Sequence, residues 1–449
     1  MTPARRAAVG ALQTIERGET TMAAEMDRAR RGIEAARDRG LLLEIVAGTL
    51  RWRNRLDFVL EHASRRPVAA LNPDVRAVLR AGAYQLLHLE RVPAHAIVHE
   101  SVEIVRALGR PRAAGFVNGV LRAVARRPPP LPPPPDDERD RAAALRYLTV
   151  TLSHPGWLAA RWLDRHGFAA ARAWCEFNNQ SPELTVRSVA GLDRDELREA
   201  LRAAGVEAAP ATYLTDSLRL PAGALGRLPA DLRAAVMVQE EASQIVAHAV
   251  GARPSDRVLD ACAAPGGKTI VIGSDLAGRG LLVAADRRPG RVSLLRATLE
   301  QTHTRASVVT LDATRPLPFG AAFDRVLIDV PCSGLGTVRR DPDVKWSRTP
   351  DDFGRFAAVQ LAIGRHAADA VAPGGALIYA TCSSEPEENE ELVARLLAER
   401  PAFTREPARP DAHVLHAERL LDADGYLRTL PFAHGLDGFF AARLRRNPQ

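Results

Sequence analysis

The sequence predicts a multidomain chain: an all-α N-terminal bundle, then a small α/β subdomain, then a doubly wound α/β domain. Three observations carry this. Apolar residues recur at helical spacing through the first 127 residues, PPPLPPPPDD interrupts the chain at 128–137, and from about residue 236 short apolar runs alternate with helical stretches. At 449 residues the chain exceeds one ordinary core, so two or three domains are expected.

Within residues 1–127 the periodicity is clearest in DRGLLLEIVAGTLRWRNRLDFVLEHA and NPDVRAVLRAGAYQLLHLE. Pro93 and Gly109 bracket the next helix, and FVNGVLRAVARR supplies the last. The proline run can neither join a helix nor pair in a sheet, so a stiff spacer and a domain boundary are expected there. Residues 138–235 mix helical WLAARWLDRHG and DRDELREALRAAG with strand-like LTVRSV and a short apolar run near SLRL, which reads as a small α/β subdomain. Residues 236–449 contain RVLDACA, LLVAAD, SVVTLD, DRVLIDV and ALIYAT. Such strands, separated by helices, predict a parallel sheet covered on both faces.

Charge is unevenly spread. Of the formal +7, residues 1–127 hold 22 Arg against 13 Asp or Glu, a surplus of nine that leaves the remainder at about minus two. A basic region on a near-neutral body points to nucleic-acid docking, because phosphate contacts need fixed cations; a solvated Arg-rich surface is the plainer alternative. Of 61 basic residues only Lys268 and Lys345 are lysines, which marks positions where a compact ammonium is not replaceable by a guanidinium fork. Cys175, Cys262, Cys332 and Cys382 form no C-x-x-C pair, so neither a zinc ribbon nor a disulfide framework is supported and reduced, cytosolic thiols are expected. No stretch reaches membrane-span length, and charge precedes any apolar run at the N-terminus, so a cytoplasmic, unexported chain is expected.

The motifs narrow the chemistry. VLDACAAPGGKT, residues 258–269, runs from a strand through Gly266 and Gly267 into a helix, letting backbone approach a ligand near helix N–H groups. It is neither G-x-G-x-x-G nor a P-loop, and a plain tight turn is the alternative. Asp286, Asp312 and Asp329 end successive strands, where a doubly wound sheet lines its ligand crevice. Asp286 and Asp312 could each be helix caps; together with the glycine turn the three acids describe a nucleoside-cofactor site. Pro331-Cys332-Ser333 and Thr381-Cys382-Ser383 follow the next two strands, so both thiols are expected to face one crevice, as covalent catalysis requires. Cys175 reads as a buried, inert cysteine. His95 and His99 have the spacing of a metal pair but no third ligand, so a helix surface and no metal are expected. PEENEE, 386–391, reads as a helix start with acids in its first turn.

On these residues the chain resembles the bacterial 16S ribosomal RNA cytosine-5 methyltransferase B, or Sun/Fmu, family. DACAAPGGKT, DVPCSGLGTVRRDPDVKW, YATCSSEPEENEE and DGFFAARLRR look like its signatures, as do VQEEASQIVA, RVPAHAIVHESVEIVRALG and GFVNGVLR. The resemblance implies a NusB-like helical RNA-binding domain over 1–127, a linker over 128–137, a small RNA-binding subdomain over 138–235, and a Rossmann-like class I methyltransferase domain over 236–449. It implies that Cys262, Ala263, Ala264, Pro265, Gly266, Gly267 and Lys268 hold S-adenosylmethionine, with Asp286 at its ribose and Asp312 at its adenine side. Asp329 would lie between cofactor and target base. Cys382 is implied as the nucleophile and Cys332 as the residue that helps release product. The chain departs from the family at Ser188, usually Asn, and in its proline linker.

That chemistry accounts for the residue types. Carbon 5 of cytosine is a poor nucleophile, so a thiolate adds at carbon 6 and makes carbon 5 enamine-like; a base then removes the carbon 5 proton and the thiol leaves. The base must be unpaired or flipped. Arg339, Arg340 and Lys345 beside Trp346 read as phosphate contacts and a stacking surface, a solvated loop being the alternative. The expected partner is 16S rRNA, free or in early small-subunit particles, bound by a monomer without metal or membrane. Cytosine-5 methylation of tRNA or DNA is the nearest rival, and the second thiol, Cys382, favours RNA because DNA enzymes use the Pro-Cys thiol. A non-catalytic RNA-binding assembly factor is the rival of another class.

Overall fold

The apolar periodicity of the N-terminal region becomes the helices Pro3–Glu16, Met22–Arg30, Ala36–Arg51, Arg53–Ser64, Pro73–His88, Ala94–Ala107 and Ala114–Arg126. They close on one core in which Leu12, Leu42, Ile45, Leu56, Leu60 and Leu79 are fully buried. Local signals set the ends: Asn72 Oδ1 accepts the Asp74 N–H at 3.0 Å, and Pro73 occupies the first helical position. Gly48 lets two helices meet closely, because a Cβ there would fall inside the Tyr84 ring. Residues 2–221 and 223–448 are described by this computed structural model. They fall into two units, Met1–Ser181 with Val338–Arg348, and Pro182–Thr337 with Thr349–Gln449. No helix among the described residues is long and apolar enough to cross a membrane.

The two compact units divide after Ser181 rather than at the proline run. Residues 128–137 lie inside the first unit: Pro132 is buried, and its carbonyl accepts from Thr151 Oγ1 at 2.6 Å. An extended proline segment has no internal hydrogen bonds, so its carbonyls are open to side-chain donors of the same body. The helix Gly156–Asn178, kinked at Gly167, packs with the first unit. Its Trp162 and Trp174 stack at 4.5 Å and are both fully buried, which fixes this stretch in a helical core.

A second correction concerns the segment 338–348, which the sequence placed on an RNA-facing surface. Lys345 is fully buried, and its Nζ donates to the carbonyls of Arg51 at 3.0 Å and Ser153 at 2.7 Å. Trp346 Nε1 donates to Leu50 O at 2.6 Å, and Asp343 accepts the Met22 N–H at 2.9 Å. The Arg339 side chain is buried 4.0 Å from the centre of the Phe177 ring, while Arg340 is half-buried. Lys345 therefore serves the interior of the helical unit and is not open to a phosphate, and Trp346, half-buried, packs against the same core. Burial pushes the Lys345 ammonium down to about 7, so near neutrality much of it is a neutral amine whose two N–H bonds match the two carbonyls. A guanidinium, bulkier and always charged, has no such neutral form.

In the second unit, β1 (Leu184–Ser188), β2 (Ala209–Pro210), β3 (Ser217–Leu220) and β4 (Val236–Val238) make an antiparallel sheet in the order β2-β3-β1-β4. The helix Arg194–Ala203, opened by a capping box of Asp193 and Glu196, covers it through Leu197 and Leu201. The larger sheet holds β5 (Arg257–Asp260), β6 (Leu281–Asp286), β7 (Ser307–Thr310), β8 (Phe323–Asp329), β9 (Val371–Thr381), β10 (Phe403–Glu406), β11 (Leu427–Thr429) and β12 (Phe439–Arg446). Its order is β10-β12-β9-β8-β5-β6-β7, with β11 beside β12. Pairing is parallel from β9 to β7 but antiparallel at β12, β10 and β11, so the sheet is mixed rather than wholly parallel. The order reverses at β5, which has β6 on one side and β8 on the other, and such a switch point opens a crevice at the carboxyl ends of the strands.

Replacing Lys345 tests the interior role. Lys345→Met leaves two carbonyls without their donor, a loss of about 1–3 kcal/mol, whereas Lys345→Arg forces an unpaired charge into the same space at about 3–5 kcal/mol. Thermal unfolding should therefore show the arginine variant melting below the methionine variant. A Lys345→Arg protein as stable as the unchanged chain would put Lys345 back at the surface.

Candidate active site

The carboxyl ends of β5, β6, β8 and β9 supply the site. After Asp260 the chain leaves β5 and is held against β6 by the Ala263 N–H, which donates to Ala285 O at 2.8 Å. Gly266, at φ 113°, turns this loop into the helix Gly267–Asp275 in a backbone conformation that other residues rarely adopt. A Cβ would come within 3.0 Å of Leu295 at Gly266 and within 3.1 Å of Gln239 at Gly267, so either neighbour would have to give way. Asp286, buried at the end of β6, accepts the Arg288 N–H at 3.2 Å and lies 3.3 Å from Arg291 Nε. Asp312, two residues past β7, accepts from the Thr314 hydroxyl at 2.6 Å and N–H at 3.0 Å, and the hydroxyl bond above all holds its carboxyl below the usual range.

A cavity of about 460 Å³ brings Cys262, Ala264, Asp286, Asp312, Asp329, Cys332 and Cys382 to one wall. A smaller pocket of about 150 Å³ shares Cys262, Ala264 and Asp329 with it and adds Ala263, Pro265, Gly267 and Lys268. Gly266 lines neither and acts through the turn. Arg339, Arg340, Lys345 and Trp346 belong to the other unit and are not among these linings. A larger cavity of about 850 Å³ lies by the start of β6, between residues such as Arg187, Arg279 and Thr302, and brings no thiol with it.

Electrostatics distinguish the groups. Lys268 Nζ donates to Asp329 Oδ2 at 2.6 Å; burial works against the ammonium, but the Asp329 carboxylate outweighs it and holds the pKa above the ordinary lysine value. Asp260 sits fully buried beneath them, takes the Thr269 hydroxyl at 2.7 Å, and is pushed up to about 7 by burial. Cys332 Sγ and Cys382 Sγ are 3.2 Å apart. The contact with Cys382, above all, and then burial raise the Cys332 thiol well above the usual value, and either sulfur can be the donor between them. Burial likewise raises Cys262 and Cys175.

Behind the thiols stands a buried polar lattice that reading the sequence did not anticipate. PEENEE contributes Glu388 and Asn389, both fully buried. Glu388 accepts the Ser333 N–H and Gln360 Nε2, each at 2.9 Å, and the Ser383 hydroxyl at 2.5 Å. Asn389 Oδ1 takes the Thr381 hydroxyl at 2.6 Å, and its Nδ2 donates to Ser383 O at 3.0 Å. The readable signal was the paired Cys-Ser dipeptides with an acid and an amide a few residues beyond the second.

Three family models match the chain: 16S rRNA methyltransferase RsmB/F over residues 247–445, the NusB family over 2–126, and the ferredoxin-like domain of RsmF/B-like methyltransferases over 154–224. The chain is 34% identical to the probable ribosomal RNA small subunit methyltransferase B of Bacillus subtilis over 91% of both chains. It is 33% identical to ribosomal RNA small subunit methyltransferase B of Pseudomonas putida over 98% of both. The crystal structure of PH0851 superposes with a TM-score of 0.80 at 23% identity, covering 99% of each chain. NSun6 from Pyrococcus horikoshii with SFG gives 0.56 at 19% identity over 65% of this chain and 98% of that one; both share the fold. With relatives of this identity along nearly its whole length, the chain belongs to the 16S rRNA methyltransferase RsmB/F family, whose members are S-adenosylmethionine-dependent and which here carries a NusB-like helical domain.

Proposed function

We propose that the chain is a cytoplasmic enzyme that methylates carbon 5 of a cytosine in 16S rRNA through a covalent adduct on Cys382. The observation that carries the reading is the pair of thiols, 3.2 Å apart, on the wall of a cavity that also holds Asp286, Asp312 and Asp329. The residues present suit the cofactor. The cavity volume of about 460 Å³ lies in the range of small-molecule sites, Gly267 keeps the adjoining smaller pocket open to backbone approach, and three carboxylates favour a cationic ligand. When bound, S-adenosylmethionine supplies an electrophilic methyl group. Asp286 would hold its ribose hydroxyls, Asp312 its adenine side, and the loop Cys262–Lys268 its amino-acid end.

The rest of the reaction falls to the chain itself. In this reading Cys332, held as a thiol, donates to Cys382 Sγ, and Lys268 adds a nearby positive charge. Cys382 Sγ bonds to carbon 6, and the electron pair of the 5,6 double bond becomes available at carbon 5 for methylation. Asp329, steadied by Lys268, accepts a hydrogen bond from the cytosine edge. A base takes the carbon 5 proton, the double bond re-forms and Cys382 leaves as a thiolate, with Cys332, 3.2 Å from it, placed to assist that release. RNA reaches the site unpaired or flipped, and the surplus of nine cations in residues 1–127 supports docking through the helical domain.

Two measurements test the reading. With labelled rRNA and S-adenosylmethionine on a denaturing gel, Cys382→Ala should give neither methyl transfer nor adduct, and Cys332→Ala should accumulate an adduct that cannot eliminate. An adduct from Cys382→Ala and none from Cys332→Ala would reverse the roles. By calorimetric titration, Asp286→Ala should weaken S-adenosylmethionine binding by about tenfold or more, roughly the 1.4 kcal/mol of one charge-assisted hydrogen bond, with thermal stability little changed. An unchanged affinity would remove Asp286 from the cofactor site.

A further inference from the structure

We infer that Glu388 is a positioning residue that fixes the spacing of the two cysteine loops. The inference rests on the proposed roles of Cys332 and Cys382. The sheet alone does not hold these sulfurs together: the parallel register of β8 and β9 ends at Asp329 opposite Ala380, and the last strand-like bond is the Val330 N–H to Ala380 O at 3.0 Å. Beyond that point the Pro-Cys segment is loop, and the Thr-Cys segment leaves the sheet one residue later, after Thr381 opposite Phe440 of β12. Gly336 N–H reaches Cys382 O at 2.9 Å, but it lies four residues past Cys332.

Between these two backbone ties, Glu388 binds both loops one residue beyond each thiol. Its Oε1 accepts the backbone N–H of Ser333, next to Cys332, and its Oε2 accepts the hydroxyl of Ser383, next to Cys382. Because the Ser383 hydroxyl proton goes to Glu388, the 3.0 Å contact between the serine hydroxyls is one in which Ser333 donates to Ser383. The result is a directed chain, Ser333 to Ser383 to Glu388, whose members polarise one another. The carboxylate is itself fixed from a third element, because Gln360 on the helix Asp352–Ala370 donates to Oε1 while also donating to Pro331 O at 3.0 Å. The Tyr379 hydroxyl donates to Glu388 O at 2.5 Å and, at 3.2 Å, contacts Gln360 Oε1. Glu388 thus collects the Pro-Cys loop, the Thr-Cys loop and a helix on one fully buried group. It also faces Cys332 with a negative charge, which adds to the hold on the thiol proton.

The test uses the full-length chain. Phenylarsine oxide bridges two thiols only when they are close, so its capture reads the sulfur spacing without any need for turnover. The unchanged protein should take up one equivalent across Cys332 and Cys382. Glu388→Ala should lose that capture and lower kcat by about tenfold or more, because reacting groups displaced by an ångström lose rate steeply, while the KM for S-adenosylmethionine stays within about twofold. Glu388→Gln keeps an acceptor for Ser333 and Gln360 and can donate to the Ser383 oxygen, so it should restore both capture and most of kcat. Wild-type capture and kcat in Glu388→Ala would overturn the inference. Should that variant fail to fold, Ser383→Ala removes one arm only; it should reduce capture and kcat at unchanged KM, and an unaffected Ser383→Ala would equally overturn it. If Cys382→Ala retains methyl transfer, the covalent reading fails instead, while arsenical capture still reports on Glu388.

Discussion

Asp329 opposite Ala380 is the last pair in the parallel register of β8 and β9, and the site depends on that register. From it one chain reaches Cys332 in three residues and the other reaches Cys382 in two. Side chains alternate faces along a strand, so a slip of one residue would send one thiol to the wrong side of the sheet. Register here is secured by buried apolar residues on both faces, among them Val326, Leu327, Leu377 and Ile378. The packed centre of the sheet thereby sets where two reactive atoms stand at its edge.

Around that edge the charges are arranged so that few are unaccompanied. Lys268 is held by Asp329, Asp286 faces Arg291, and Asp312 is bonded by Thr314. Asp260, deeper and without a cation of its own at bonding distance, is raised to about 7. Both lysines of an otherwise arginine-only cation set lie in interiors, one giving its ammonium to a carboxylate and the other its amine to two carbonyls. Each place accepts a slim donor at the end of an apolar stem.

What the sequence made legible was local. The strands β5 to β9 announced themselves as apolar runs, the cofactor loop by its paired glycines, and the thiols by falling directly after strands. What stayed hidden depends on partners far away in the chain. Lys345 meets carbonyls 294 and 192 residues away, and no local pattern separates such a lysine from a solvated one. PEENEE carries enough acid to read as a wet helix start, yet Glu388 is buried because three donors satisfy it, two of them, Ser333 and Gln360, from distant segments. The proline run read as a stiff spacer, since composition gives stiffness but not what the segment rests on. The antiparallel strands β10 to β12 escaped because DGFFAARLRR offered a family signature and no topology.

The segment Val338–Arg348 has a consequence for how this protein can be inherited or dissected. It is encoded amid the methyltransferase sequence, yet its burial, its hydrogen bonds and its tryptophan belong to the helical unit. A gene fragment beginning after residue 127 would still produce those eleven residues, now without Leu50, Arg51 and Met22 to receive them. The two halves are therefore not beads to be exchanged by recombination at the linker. Any lineage that discards the helical domain must also rewrite a loop more than two hundred residues downstream, and the two stretches are bound to drift together.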